Sequence, residues 1–364
     1  MLAAIEQAQH GIELEIYIFD DDEIGRRFLI ALMQAAARGV RVRVLADAFG
    51  SFLLPQSFFE PLIKAGGKVR FFNPIRFTRF GVRNHRKLLV CDRQTAFIGG
   101  ANIADNYNGD GVTQGWCDLM VKIEDAKLVA VLAEQFERIF SNANFENGRL
   151  RRLRAFRRFR RRTNDTQIFA IQAGRGVGSF QRTLQQDLSH AKSADFITPY
   201  FLPGRRIRKL MRQIARRGGR VRLILPAHSD VPVARAAGLI YYARLLRAGV
   251  EIYEYQPQIL HAKLFIVDKK VFAGSSNLDV RSFKMNYELM LRFTDHATVD
   301  GAKEIFSELL KNSRRIELKA FRRSQNFWQR WKNHWAHFLV ARIDPLVALK
   351  HLNPSRPKAR GSAQ

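Results

Sequence analysis

The 364-residue chain carries 61 Lys and Arg against 33 Asp and Glu, a formal net charge of +28, with 46% apolar and 11% aromatic residues. That apolar content excludes a disordered basic tail; no apolar run reaches the length of a membrane span, and the first residues do not read as a signal peptide. The two cysteines, Cys91 and Cys117, exclude a disulfide framework and sit in no metal-ligand spacing. A soluble or peripheral intracellular protein attracted to polyanions is expected, whether nucleic acid or anionic lipid.

The charge is unevenly placed. Residues 1–148 hold 17 basic and 18 acidic residues, whereas 149–162 (RLRRLRAFRRFRRR) hold nine arginines and no acid. Residues 163–318 have a net charge of +11 and residues 319–364 one of +9. The length suits two lobes, each able to bury a core.

In chain order, a helix is expected over 2–10 and another over 24–38. The acidic run Asp20-Asp21-Asp22-Glu23 stands just before the second, where capping and the helix dipole favour it over a metal site. Residues 36–45 end that helix, turn at Gly39 and continue as a strand of alternating apolar and basic residues. A helix end at 62–66, a strand at Lys68–Phe72 and Pro74 follow, then a strand containing His85 and Lys87. The second half repeats these blocks at 215–224, 245–249 and 261–268, with a short strand at Glu251–Tyr255 and Pro257 between the last two. Three matched blocks in one order identify an internal duplication. Helix–strand alternation of this kind predicts an α/β sandwich with a mixed sheet in each half. The second half opens with an extra strand over 167–173 before a helix near 180–191. By its own repeat, the first half lacks that strand.

The duplicated segment carries chemistry. His85-x-Lys87-x4-Asp92 is followed by Gly99-Gly100-x-Asn102, and His261-x-Lys263-x4-Asp268 by Gly274-Ser275-x-Asn277. In a strand, residues two apart share a face, so each His and Lys reaches the same ligand. A lysine charge and an asparagine amide suit the non-bridging oxygens of a phosphodiester. One histidine can attack phosphorus while the other protonates the leaving oxygen, a task suited to an imidazole whose ordinary pKa is about 6.5. Asp118 and Glu288, on the strand after each asparagine, are candidates to fix the histidine tautomers.

These residues resemble the phospholipase D superfamily, whose duplicated signature both halves match, and more narrowly its bacterial cardiolipin synthase branch without N-terminal transmembrane helices. The segments 97–102, 274–279 and Tyr200-Phe201-Leu202-Pro203-Gly204 are also similar to that branch. The resemblance implies an α/β fold of two pseudo-symmetric phospholipase D-like sandwich lobes with mixed β-sheets and one shared active site. It also implies a ping-pong mechanism through a phosphatidyl-enzyme intermediate, with no metal and no cofactor. Carried onto this chain, His85 becomes the nucleophile and His261 the general acid and base. Lys87, Lys263, Asn102 and Asn277 hold the phosphate, and Asp118 and Glu288 orient the histidines. Asp92 and Asp268 complete the catalytic signature, with a role expected to be structural more than chemical. Gly100 departs from the serine usual in the wider superfamily. The implied reaction converts phosphatidylglycerol, or another phospholipid donor, to cardiolipin and glycerol.

Four segments result: an N-terminal lobe at 1–148, an arginine-rich linker at 149–164, a C-terminal lobe at 165–318, and a basic aromatic membrane-associating segment at 319–364. In the linker, Leu150, Leu153, Phe156 and Phe159 recur every third residue among arginines, which reads as an interfacial helix, as a solvated arginine-rich linker or as a nucleic-acid patch. Near the C-terminus, Phe327, Trp328, Trp331, Trp335, Phe338 and Leu339 fall at helical spacing. Such a helix either lies in the headgroup boundary of a bilayer or docks its aromatic face on the lobe. The expected partner is therefore an anionic phospholipid membrane, met peripherally on the cytoplasmic face of the bacterial inner membrane. No nucleic acid is expected, because the first half is nearly neutral, and a monomer suffices, because one chain supplies both signatures. The competing readings are a phosphodiesterase acting on nucleic acid, a phospholipid hydrolase, and an inactive membrane-binding module.

Overall fold

The computed structural model describes residues 1–74, 81–143, 165–173 and 177–340, together with the backbone of 160–162. The apolar residues of the arginine-rich linker and everything after Val340 lie outside these.

The first half builds a six-stranded sheet from β1 (Gly11–Ile16), β2 (Arg41–Asp47), β3 (Lys68–Phe72), β4 (Leu88–Cys91), β5 (Thr95–Gly99) and β6 (Met120–Ile123), in the order β3-β2-β1-β4-β5-β6. The second half supplies β7 (Arg160–Arg162), β8 (Thr166–Ile171), β9 (Ser193–Ile197), β10 (Phe201–Leu202), β11 (Arg220–Pro226), β12 (Glu251–Tyr255), β13 (Leu264–Val267), β14 (Lys270–Gly274), β15 (Leu278–Asp279), β16 (Glu288–Phe293) and β17 (Ser313–Arg315). Nine of these form one sheet, β17-β12-β11-β9-β13-β14-β16-β8-β7, while β10 and β15 pair with each other in parallel. The run β12-β11-β9-β13-β14-β16 reproduces the first sheet strand for strand. The extra strand expected near 167–173 is β8, antiparallel to β16 over six residue pairs. The equivalent outer edge of β6 has no partner among the described residues.

Two central strands escape the sequence pattern. β1 and β9 stand between the first two helices of their halves, parallel to β2 and β11 and antiparallel to β4 and β13. Their alternation is masked by buried acids. Glu13 of β1 pairs with its register neighbour Arg43, and Asp195 of β9 does the same with Arg222, Nη2 to Oδ2 2.6 Å. One of the alternating basic residues of each strand, Arg43 of β2 and Arg222 of β11, thus neutralises an acid one strand over, which a buried carboxylate requires.

Local rules explain the flanking elements. Asp22 caps the helix Glu23–Ala37 by accepting from the Gly25 N–H at 2.8 Å, so the acidic run serves the helix start. That helix buries Phe28, Leu32 and Ala35 and turns into β2 at Gly39, whose φ of 89° favours glycine; Gly218 repeats the turn at 81°.

Alternation along the signature strands assigns the cores. Leu88 and Val90 of β4, with Leu264 and Ile266 of β13, face one cluster that also takes Phe136 from the helix Ala126–Phe140 and Phe306 from the helix His296–Lys311. Leu89 and Cys91 face an outer core under the helix Glu23–Ala37, and Phe265 and Val267 one under the helices Ser179–His190 and Arg205–Arg216. Each lobe therefore has its own outer core, but the two share the central one. Burial raises the thiol pKa of Cys91 to about 12 and of Cys117 to about 11, as for packed rather than reactive cysteines.

Candidate active site

The parallel strands β1, β2, β9 and β11 set the position of the site. β4 runs against β1 with Leu88 opposite Glu15, so His85 and Lys87 arrive at the carboxyl edge of β1; Leu264 opposite Ile197 does the same for His261 and Lys263. Open α/β sheets bind ligands at this edge.

Backbone bridges then cross between the lobes. The His85 N–H donates to the Tyr287 carbonyl at 2.9 Å and the Tyr287 N–H to the Arg83 carbonyl at 2.8 Å. In the mirror arrangement, the His261 N–H donates to the Cys117 carbonyl at 2.7 Å and the Cys117 N–H to the Ile259 carbonyl at 2.9 Å. Each histidine is thereby placed beside the carboxylate of the other lobe. His85 Nδ1 lies 3.0 Å from Glu288 Oε2, and His261 Nδ1 lies 2.5 Å from Asp118 Oδ2. A carboxylate on Nδ1 fixes the tautomer and leaves Nε2 for chemistry.

The two half-sites differ in their second layer. Glu288 accepts from the Ser275 hydroxyl at 2.5 Å and from the Asn286 amide at 3.3 Å. Asp118 has no equivalent hydroxyl, because Gly100 stands at the matching position. A Cβ on Gly100 would lie 2.2 Å from Asp118 Oδ1, so the shorter carboxylate occupies the space that a side chain would need. Asp118 instead accepts from the Leu119 N–H at 2.7 Å and has Lys263 Nζ at 3.6 Å.

Both lysines are buried, and burial lowers their pKa. Lys87 falls to about 7, with repulsion from Lys263 as the second cause. The Lys87 ammonium donates to the His85 carbonyl at 2.9 Å and lies 5.1 Å from the Tyr17 ring centroid; Lys263 Nζ lies 2.7 Å from His261 Nδ1. Two buried lysines whose charges repel one another are the kind of pair that a bound anion would stabilise in the charged form. Burial also lowers the His85 pKa to about 4, against the attraction of Glu288, and lowers that of His261. Both imidazoles are neutral near pH 7.

Asn102 and Asn277 are buried at the same edge. The Asn102 amide donates to the Tyr107 hydroxyl at 2.7 Å while its Oδ1 accepts from the Ile18 N–H at 3.1 Å. Asn277 Oδ1 has no protein partner among the described residues. Asp92 and Asp268 lie elsewhere, past the far ends of β4 and β13. Asp92 accepts from the Gln9, His10 and Gly11 N–H groups at 2.7–2.9 Å, and Asp268 from those of Lys192 and Ser193 at 2.8–3.3 Å. With left-handed φ values of 53° and 52°, they clamp a turn onto the starts of β1 and β9.

Sequence reasoning missed the aromatic walls. The Tyr17 ring meets His85 edge-on at 5.0 Å, and Tyr107 and Trp116 lie 5.4 and 5.6 Å from His261. It also missed the support behind His85, where the Asp47 carboxylate accepts from the Asn84 N–H at 2.7 Å and the Asn84 amide donates to Glu15 at 2.8 Å. The only sequence signal of that support was an acid near the end of an otherwise largely apolar strand, Glu15 in β1 and Asp47 in β2.

The family model for the cardiolipin synthase, PLD-like domain matches residues 1–140 and 184–310. Cardiolipin synthase 1 of Bacillus cereus is 34% identical over 336 residues, 89% of this chain and 66% of that protein. Cardiolipin synthase A of Pseudomonas putida is 34% identical over 327 residues, 87% of this chain and 67% of the relative. The chain thus spans about two thirds of the length of these curated relatives. Among solved structures, phosphatidylserine synthase from Haemophilus influenzae superposes with a TM-score of 0.75 at 16% identity, covering 96% of this chain and 92% of that one, a likeness of fold. With both signature segments and both carboxylates inside the matched regions, the chain belongs to the PLD-like domain family of cardiolipin synthases.

Proposed function

We propose that the protein is a phosphatidyltransferase that makes cardiolipin and glycerol from two molecules of phosphatidylglycerol through a phosphohistidine. The observation that carries this reading is the crossed pairing of two neutral histidines with carboxylates of opposite lobes, beside two buried lysines. In the first step His85 Nε2 attacks phosphorus and the bond to the headgroup glycerol oxygen breaks. His261, protonated once the anionic phosphate is bound, gives its Nε2 proton to that oxygen, and glycerol leaves. In the second step the hydroxyl of another phosphatidylglycerol loses its proton to His261 and attacks the phosphorus. The P–N bond breaks, and His85 returns to its neutral form. Lys87 and Lys263 hold the non-bridging oxygens, with the Asn102 and Asn277 amides as neutral donors. Asp92 and Asp268 support the fold.

No described helix is long and apolar enough to cross a membrane. In this reading the chain meets its substrate peripherally, as a monomer, on the cytoplasmic face of the inner membrane. Residues 319–364 form the membrane-associating segment; five aromatic side chains of the helix Phe327–Phe338 are solvent-exposed, while Asn333 and Ala336 turn inward. Purified protein incubated with phosphatidylglycerol vesicles and chelator is expected to yield cardiolipin and glycerol in equal amounts. Phosphatidic acid as sole product would replace transfer by hydrolysis, and absence of any lipid product from any donor would overturn the reading.

A further inference from the structure

The helix Phe327–Phe338 is fixed to the lobe by its small and polar side. Ala336 packs on Ala237 and Leu202, and the Tyr241 hydroxyl meets His337 Nε2 at 2.7 Å. Leu202 belongs to β10, which pairs with β15 directly after Asn277, so the helix is tied to the catalytic edge of the C-terminal lobe. Behind it, against the helices Tyr242–Leu246 and Leu318–Ser324, lies a cavity of about 490 Å³. That volume falls within the roughly 300–1,000 Å³ typical of small-ligand sites.

The cavity wall has a specific chemistry. Arg247, Arg322 and Arg330 line it with no carboxylate among the lining residues, and Leu239, Ile240 and Phe321 supply an apolar side. Arg330 Nε donates to the Gln325 carbonyl at 3.1 Å and Arg247 Nε to the Ala243 carbonyl at 3.0 Å. These bonds set two of the three guanidinium groups in place and involve only their Nε atoms, so the terminal nitrogens can meet an anion. Trp328 and Trp331, exposed at 71% and 53%, stand on the same helix as Arg330. Tryptophan on an exposed face suits the headgroup level of a bilayer, and three arginines around one cavity suit a phosphate at that level.

We propose that this cavity binds the phosphate headgroup of an anionic phospholipid in the bilayer, distinct from the lipid being transferred, while the aromatic face of Phe327–Phe338 enters the interface. The choice of a bilayer rests on the lipid reading of the active site. Headgroup capture here would seat the catalytic edge on the anionic surface that contains the substrate.

The test measures co-sedimentation of the full chain with vesicles of phosphatidylcholine alone or mixed with phosphatidylglycerol. The wild type is expected to prefer the anionic vesicles by about tenfold or more. Arg247→Gln/Arg322→Gln/Arg330→Gln should remove most of that preference, whereas Arg205→Gln/Arg206→Gln/Arg216→Gln, equal in charge but outside the cavity, should keep most of it. Trp328→Ala/Trp331→Ala should weaken binding to both vesicles. Equal losses in the two arginine triples would overturn the proposal by reducing it to general attraction. Arginine-dependent binding of inorganic phosphate or of a single-stranded oligonucleotide, without vesicle preference, would overturn it in favour of those ligands. Turnover of detergent-dispersed phosphatidylglycerol should be unchanged in all three variants. If no protein turns over, the catalytic reading fails while the sedimentation result still judges the cavity.

Discussion

The two half-sites descend from one repeated segment, yet they solve the same problem differently. His85 faces a longer carboxylate, Glu288, supported by Ser275 and Asn286; His261 faces a shorter one, Asp118, with glycine behind it and Lys263 beside it. The lesson is that one methylene in the carboxylate and one hydroxyl behind it exchange as a set. A longer acid needs a partner at the end of its reach, while a shorter one needs the space cleared. The carboxylates also come from opposite lobes, so neither half-site is complete without the other lobe.

The sharpest break of the pseudo-symmetry is chemical. Replacing either histidine by alanine should reduce turnover by about 10⁴-fold or more, as expected when a nucleophile or its proton-transfer partner is removed. Only His85→Ala should also prevent trapping of a phosphorylated enzyme in single-turnover reactions quenched in alkaline denaturant, where the P–N bond survives. Accumulation of that species in His85→Ala would reverse the two roles.

Next come the carboxylates. Glu288→Gln and Asp118→Asn are each expected to slow turnover by about 10²–10⁴-fold, the range of a general acid–base contribution, through a misplaced tautomer. Asp118→Asn should be the worse, because Lys263 loses its carboxylate partner as well. Equal kcat losses with unchanged histidine ring titrations would remove the proposed difference.

The layer behind them should give smaller effects. Ser275→Ala removes one hydrogen bond to Glu288 and should cost about 1–3 kcal/mol, read as a lowered kcat or urea midpoint. Gly100→Ser should cost a similar amount by overpacking against Asp118. Gly100→Ser combined with Asp118→Glu should recover part of that loss; no recovery would show that the two positions are independent.

A last effect is read through pH. Lys87 titrates near pH 7 in the folded protein, below its ordinary 10.5, because burial and Lys263 disfavour its charge. Between pH 7 and 10.5 the unfolded chain therefore binds the extra proton, so this group's contribution to stability improves as pH rises through that window and its full cost is present below it. Urea midpoints of Lys87→Met should rise less steeply than wild type from pH 7 to 9. The same substitution should raise the His85 pKa from about 4, since Lys87 is among the charges holding it down. An unmoved ring titration by NMR would show the lysine to be more distant from His85 in solution.

Much of this architecture was legible from the repeat. Helix, glycine turn and strand fall where 36–45 and 215–224 put them, because a left-handed turn residue and alternating burial are local requirements. β1 and β9 were not legible, since Glu13 and Asp195 resemble solvent-facing residues until Arg43 and Arg222 are placed one strand away. The aromatic stretch at 327–339 left two orientations open, and only the packing of Ala336 against Ala237 and Leu202 turned its tryptophans outward.

The amino-acid sequence by itself determined the residue types of the site: two His-x-Lys segments, two asparagines and two carboxylates, in the same order in each half. It did so because strand periodicity is local and the duplication states every element twice. The tertiary structure decided the pairings. Glu288 meets His85 and Asp118 meets His261 because backbone bridges between Asn84 and Tyr287, and between Cys117 and Leu260, cross the lobes, and such contacts depend on a shared core that no local pattern encodes.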